Sequence, residues 1–268
     1  MNKQMKYSSH NLKLSSGEYT IPGADLLCDT QHYKAVLRTL NMRFSEKERS
    51  KIRIADLGCL EGGYSVEFAK AGYDAVGFEA REENIRKCNF LKEDLKLQNL
   101  KFIKDDVKNI EKYGKFDVIF CAGLLYHLDY PVSYIKTLGK ITNKMLILHT
   151  HYAVENDLLY DKEDELPETK QMLDKYNYNL SAIEENEGKK GRWFREYKEG
   201  EEKETIEKSV WAAYSNHRSF WVLKKDLLQT IREAGFDLVF EQYDFLKNIS
   251  TDDYIERYDR SQFVGIKS

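Results

Sequence analysis

Proline is scarce, with three in 268 residues, and cysteine is nearly so, with four and no C-x-x-C pair. That rules out a disulfide scaffold and a zinc site of familiar spacing, and it implies a reducing, cytoplasmic setting. No apolar run approaches the ~18 residues that cross a bilayer, and MNKQMKYSSH lacks the apolar stretch of a secretory signal. The expectation is a protein with no membrane insertion. Charge of one sign is also lacking: the net is −3, which excludes a polyanion binder by bulk charge. The chain has no G-x-G-x-x-G turn either, so the usual dinucleotide fingerprint is missing.

What is present begins at Lys51. The stretch KIRIADLGCLEGGYSVEFAKAGYDAVGFE reads as an apolar strand, a glycine turn, a helix stopped by Gly72, and a second buried strand ending in Glu79. A glycine turn lets a ligand approach bare backbone, and a carboxylate after the next strand can hold ribose hydroxyls. The pattern is that of a nucleoside-binding half-fold. Glu61 stands where a diphosphate would pass, and Asp56 adds a second negative charge. The pair repels phosphate and suits a cation.

Strand and helix then alternate. Residues 82–97 carry Ile85, Cys88, Leu91 and Leu95 at helical spacing. Lys101–Ile103 and Phe116–Cys121 are strands, the latter apolar enough to be buried on both faces. Pro131 opens a helix, and Met145–Leu148 form a fifth strand that leads into His149 and His151. Leu223–Phe236 form an amphipathic helix, followed by strands at Asp237–Tyr243 and Gln262–Ile266 with no helix between them. That gives an α/β, doubly wound sheet closed by an antiparallel hairpin. Before it, residues 1–50 form a leader in which Asp29 can cap a helix through Tyr33, Val36, Leu37 and Leu40. The core comprises residues 51–152 and 223–268. Regularity stops between them: residues 153–210 carry 17 Asp/Glu against 10 Lys/Arg, a net of −7. Leu158, Leu159, Leu166, Met172, Leu173, Trp193 and Phe194 make this stretch too apolar for plain disorder. Residues 153–222 are therefore expected to be an inserted cap or a solvated acidic excursion.

The order D-x-G-x-x-x-G at Asp56, Gly58 and Gly62, with Glu79 21 residues after Gly58, resembles the cofactor motif of class I S-adenosylmethionine-dependent methyltransferases. The departure is Leu60, where the family often has glycine; Gly63 can relieve the turn instead. The resemblance covers about residues 51–148, with an echo in 223–236. It implies a Rossmann-like, seven-stranded, mostly parallel sheet and S-adenosyl-L-methionine as cofactor. By the same resemblance Glu79 holds the ribose diol, Asp106 the adenine amino group and Val107 the ring, with Asp56, Gly58, Cys59, Gly62, Ala80 and Cys121 lining the site. The segment CAGLLYHLDYP, from Cys121 to Pro131, resembles one in transferases that build carboxymethoxy-uridine at the tRNA wobble position. Related segments occur in enzymes acting on sugars and natural products.

Methyl transfer to a hydroxyl calls for a base, and histidine titrates in the right range. His127, beside the expected methyl position, and His151, at a strand exit, are the catalytic candidates. Tyr126, His149, Trp193, His217 and Arg218 are acceptor contacts. An H-x-H metal site at His149 and His151 finds no third ligand at an identifiable spacing, so no metal is expected. These residues suggest O-methylation of a small organic acceptor such as a nucleotide-linked or surface-glycan sugar. A tRNA-modifying transferase and a non-catalytic adenosine-nucleoside binder are the alternatives, and the oligomeric state is open.

Overall fold

The computed structural model describes residues 5–155, 180–246 and 259–268. Five of the apolar cap positions, from Leu158 to Leu173, lie outside them. A seven-stranded sheet runs in the order β3-β2-β1-β4-β5-β10-β9. Its strands are β1 (Arg53–Leu57), β2 (Asp74–Glu79), β3 (Leu100–Lys104), β4 (Phe116–Ala122), β5 (Thr142–His151), β9 (Leu238–Gln242) and β10 (Arg260–Ile266). Strand β1 pairs parallel to β2 and β4, β2 parallel to β3, and β10 antiparallel to β9. The order reverses between β1 and β4, which is the switch point where open α/β sheets hold ligands. Helices α1 (Gln31–Arg43), α2 (Gly63–Lys70), α3 (Glu82–Asp94) and α4 (Pro131–Ile141) fall where the periodicity predicts. Thr30, rather than Asp29, caps α1 by accepting from the Tyr33 N–H. Asp29 closes a short 3-10 turn and pairs with Lys34 instead.

The chain divides into two compact units. The first comprises Met1–Cys121 and Ile141–Ile147, and the second Ala122–Lys140 and Leu148–Ser268. In the first, Ile54, Ala55, Leu57, Val118, Ile119 and Phe120 are buried in adjacent strands, and Tyr64 and Phe68 pack on Phe120. The leader is tied down by a carboxylate. Glu61 is 1% exposed. It accepts from the Ser8 N–H at 2.9 Å, the Ser9 N–H at 3.1 Å and the Lys87 ammonium at 2.8 Å. Burial would raise its carboxyl, but Lys87 and the two serines outweigh that and hold it below the ordinary glutamate range. Tyr7 adds a hydroxyl bond to the Lys87 carbonyl and lies against its ammonium.

In the second unit a three-stranded antiparallel sheet, β6-β7-β8, occupies part of what reads as irregular sequence. It is built from β6 (Glu184–Asn186), β7 (Lys189–Arg195) and β8 (Arg218–Val222). The β6–β7 turn places Glu187 and Gly188 at φ 54° and 74°, the two-residue hairpin geometry that favours the strands' twist. The Glu187 carboxylate accepts from the Val132 and Ser133 N–H groups and from the Ser133 hydroxyl, so it caps α4 from outside. Helix α5 (Lys203–Lys208) follows β7, and α6 (Lys224–Glu233) precedes β9. Gly139 lets α4 meet the end of α6: a Cβ there would stand 2.2 Å from the Ala234 carbonyl oxygen.

Removing Lys87 leaves the buried Glu61 charge with neutral donors only, the Ser8 and Ser9 N–H groups and the Ser8 hydroxyl. Lys87→Met is expected to cost about 3 kcal/mol and to lower the thermal midpoint by roughly 5–10 °C. Pairing it with Glu61→Gln should return part of that loss, and scanning calorimetry of both variants checks the expectation.

Candidate methyl-transfer site

The turn after β1 in the first unit takes three left-handed residues: Gly58 at φ 67°, Leu60 at 52° and Gly62 at 83°. For leucine that conformation costs roughly 1–2 kcal/mol. The Leu60 N–H donates to Glu79 Oε2 at 3.0 Å, and the Cys88 thiol donates to the Leu60 carbonyl at 3.3 Å, so bonds on both sides hold it there. Gly62 caps α2, and a Cβ on it would lie 2.8 Å from the Phe102 ring. Gly63 does not relieve the turn. Its bareness serves His10 instead, whose Cβ would sit 2.4 Å from one on Gly63. The Gly63 N–H donates to His10 Nδ1 at 3.3 Å, and burial lowers that imidazole to about pKa 4 against the raising effect of Glu61. The helix N-terminus that would hold a diphosphate in a dinucleotide fold is therefore occupied by a neutral side chain. Glu61 does not repel phosphate as its place in the turn suggests, because its charge is spent on the leader and Lys87.

The strand ends of this unit hold acids in different states. Asp56 is 3% exposed, and its Oδ2 accepts from the Ser65 hydroxyl at 2.6 Å. Burial, partly offset by Ser65, raises its carboxyl to about pKa 7. Glu79 is 5% exposed and accepts one backbone N–H on each oxygen, from Leu60 and from Arg81. Burial raises it too, opposed by those donors and by neighbouring Asn84. Ala80 is half-buried beside it. Asn84 is 1% exposed, and neither atom of its amide has a hydrogen-bond partner of good geometry. Asp105 is consumed by Tyr113, Asn109 and the Asp106 N–H, while Asp106 spends one oxygen on the Lys108 N–H and is half-exposed. Val107, Cys59 and Cys121 are buried.

In the second unit two imidazoles each meet a carboxylate through Nδ1. His127 lies 2.8 Å from Glu196 Oε1, and His151 lies 2.9 Å from Asp259 Oδ1. The Glu196 side chain is 1% exposed and also accepts from the Ser219 hydroxyl and the Ala213 N–H. A carboxylate only accepts, so each Nδ1 carries a proton, and in the neutral ring the lone pair is on Nε2. Tyr126 stands edge-on to His151 at 4.7 Å and 4.2 Å from the His127 ring centre, with the Arg260 guanidinium 5.6 Å over it. Burial raises its hydroxyl, opposed by Arg260. Trp221 stacks on His151 at 4.8 Å and on Phe194 at 5.2 Å, and its indole N–H donates to the Tyr126 carbonyl. Burial lowers His151, against the hydrogen bond it donates to Asp259, and so favours its neutral form.

His149 is not part of this cluster, since its ring faces Phe245 at 6.2 Å. Among the described residues no group of three or more His, Cys, Asp or Glu could hold a metal ion. Trp193 and Arg218 are brought together on the small sheet, guanidinium over indole at 4.0 Å, and the exposed His217 accepts through its carbonyl from the Glu196 and Tyr197 N–H groups. Sequence reasoning missed His10, Asn84, Glu196 and Asp259. The two carboxylate partners lie 69 and 108 residues from their histidines, and no local signal marks them.

A family model described as a methyltransferase domain matches residues 48–235. The chain belongs to the class I S-adenosylmethionine-dependent methyltransferases. It is 35% identical over 129 residues to a tRNA U34 carboxymethyltransferase of Sulfurimonas denitrificans, covering 44% of this chain and 40% of that one. It is 29% identical over 115 residues to a ubiquinone biosynthesis O-methyltransferase of Pelagibacter ubique, covering 41% and 45%. The chain thus spans less than half the length of these curated relatives. Among solved structures, the N-terminal domain of EvdMO1, crystallised in the presence of SAH and D-fucose, superimposes with a TM-score of 0.63 at 21% identity. That match covers 94% of this chain and 88% of the other and shows the fold.

S-adenosylmethionine is the cofactor of this family, and the first unit of the chain fits it. Each Glu79 oxygen keeps acceptor capacity beyond its one N–H, as a ribose diol requires. Asn84 offers a buried amide alongside, and Gly58 and Gly62 leave the turn bare.

His10 supplies a pH test of the turn. The folded chain resists protonating it above about pH 4, whereas the unfolded chain takes that proton near 6.5, so acid favours unfolding between those values. Asp56, raised to about 7, slopes the other way, which makes the comparison with a variant necessary. His10→Asn keeps an acceptor for Gly63 and removes the titration. Relative to wild type it should gain about 2 kcal/mol between pH 7 and pH 5, read from urea unfolding at the two values.

Proposed function

We propose that this protein transfers a methyl group from S-adenosylmethionine to a hydroxyl oxygen of an organic acceptor, with His127 as general base. The observation that carries the reading is the His127–Glu196 pair. A buried, three-donor carboxylate fixes the imidazole's tautomer and plane, so Nε2 is the basic nitrogen. When bound, the cofactor offers an electrophilic methyl carbon on a sulfonium. The protein's part is to hold the acceptor hydroxyl and to take its proton on His127 Nε2 as the oxygen–carbon bond forms. His151, held by Asp259 and stacked on Trp221, positions Tyr126 on the acceptor side.

On the cofactor side Glu79 takes the ribose diol. Asp106 takes the adenine amino group, since Asp105 is occupied, and Val107 packs on the ring. Asp56, Gly58, Cys59, Gly62, Ala80 and Cys121 complete the lining. A sugar-containing acceptor is supported by the D-fucose used with the structural neighbour. A second reading, transfer to a wobble uridine of tRNA, is favoured by the relatives that carry that name. Family membership makes the non-catalytic binder the weakest of the three readings.

Release of S-adenosylhomocysteine from pools of hydroxylated sugars, nucleotide sugars and bulk tRNA tests this. A small hydroxylated acceptor should turn over, and His127→Gln should lower kcat by roughly 10²–10⁴ while leaving KM and cofactor affinity within about threefold. Undiminished kcat in the variant would remove His127 as base, and turnover of tRNA alone would move the acceptor to RNA. Glu79→Gln should weaken cofactor binding about tenfold or more by calorimetry, because one acceptor oxygen is lost.

A further inference from the structure

The glycine turn of the first unit spends its backbone donors on the protein itself. The Cys59 N–H donates to the Phe78 carbonyl, the Leu60 N–H to Glu79, the Gly62 N–H to the Cys59 carbonyl and the Gly63 N–H to His10. Those four groups are closed to a ligand, although helix α2 still turns the positive end of its dipole this way. Lys87, close by, is bound to Glu61 at 2.8 Å. The amino-acid end of S-adenosylmethionine is a zwitterion. Asp56, as an anion, suits its ammonium and repels its carboxylate.

His10 has the donor that such a carboxylate needs. Its Nδ1 accepts the Gly63 N–H at 3.3 Å, so in the neutral ring the proton is on Nε2. The ring stays neutral down to about pH 4, where burial sets its titration. Among the described residues Nε2 has no hydrogen-bond partner, and it is not sealed from solvent as the Asn84 amide is. The side chain is also held in place. Ser8 and Ser9, before it in the chain, are tied to Glu61, and Tyr64 stands edge-on at 5.3 Å. An N–H donated into Nδ1 polarises the imidazole and strengthens Nε2–H as a donor. The ring thus carries the donor of the helix N-terminus outward by its own width.

We infer that His10 Nε2–H binds the α-carboxylate at the methionine end of the cofactor. A single neutral donor near the buried Glu61 charge suits one carboxylate oxygen. A phosphate calls for several donors or a cation. His10 acts on the methyl donor alone, so its role is independent of His127 and of the acceptor.

Calorimetric binding to the full chain, with no acceptor present, tests this with S-adenosylhomocysteine and its decarboxylated analogue. The analogue keeps the nucleoside, the thioether and the ammonium. Wild type should prefer the carboxylate-bearing ligand by at least about tenfold. His10→Asn keeps an acceptor for Gly63 but has no donor at the place of Nε2. It should weaken S-adenosylhomocysteine roughly 10–100-fold and leave the analogue within about threefold, with circular dichroism unchanged. His10→Gln, whose amide reaches outward, should recover part of the loss. In wild type a protected imidazole N–H resonance should appear with S-adenosylhomocysteine and not with the analogue, a signature that needs no variant to fold. Equal weakening of both ligands would mean that His10 only holds the turn. An affinity unmoved in His10→Asn, or no preference in wild type, would place the carboxylate elsewhere. Each of these results overturns the inference. Turnover is not read, so failure of His127 as base would leave the affinities as expected.

Discussion

The whole cofactor end depends on a turn that a polypeptide does not adopt readily. Between Leu57 and Gly63 the chain enters the left-handed region at Gly58, Leu60 and Gly62, and only two of the three are glycines. What stabilises the third is the buried Glu79, which accepts the Leu60 N–H from the next strand. The turn and the Glu79 carboxylate therefore share one hydrogen bond, and neither has its geometry without the other. His10 and the Ser8–Ser9 backbone close the same turn from the leader side, through Gly63 and Glu61.

Most of the fold was legible because buried parallel strands are written as short apolar runs. FDVIFC could hardly be anything else, and the helix expected to open at Pro131 opens there. Leu60 looked like a blemish in a glycine motif, yet it takes the very conformation that the missing glycine would take, at an energetic cost that bonds from two sides offset. Glu61 was misread because a sequence shows a charge but not its direction; only the fold reveals that it points to Lys87 and the leader. The small sheet was hidden for a related reason. In KKGRWFR each face of the strand carries one arginine and one aromatic, Trp193 with Arg195 and Phe194 with Arg192, so no clean apolar/polar alternation marks it as a strand.

The histidines were visible and their carboxylates were not. A histidine beside a strand exit announces itself by position, whereas Glu196 and Asp259 become partners only when remote segments meet. The family match runs through residues 48–235, yet Asp259 lies beyond it, and relatives aligned over less than half their length carry little information about that partner. The methyl donor and the acceptor are thus read from different kinds of evidence: the donor from a motif, the acceptor from side-chain geometry.

The hairpin tip at Glu187 bears on how such a protein can change over time. Helix α4 begins with N–H groups that its own sequence leaves to a residue 54 or more positions away, on the turn between β6 and β7. A hairpin that merely decorated the sheet could be trimmed without consequence. This one could not, because deleting the hairpin would strip a core helix of its only described carboxylate cap. A shorter connection here would have to keep an acid at its tip or rebuild the start of α4.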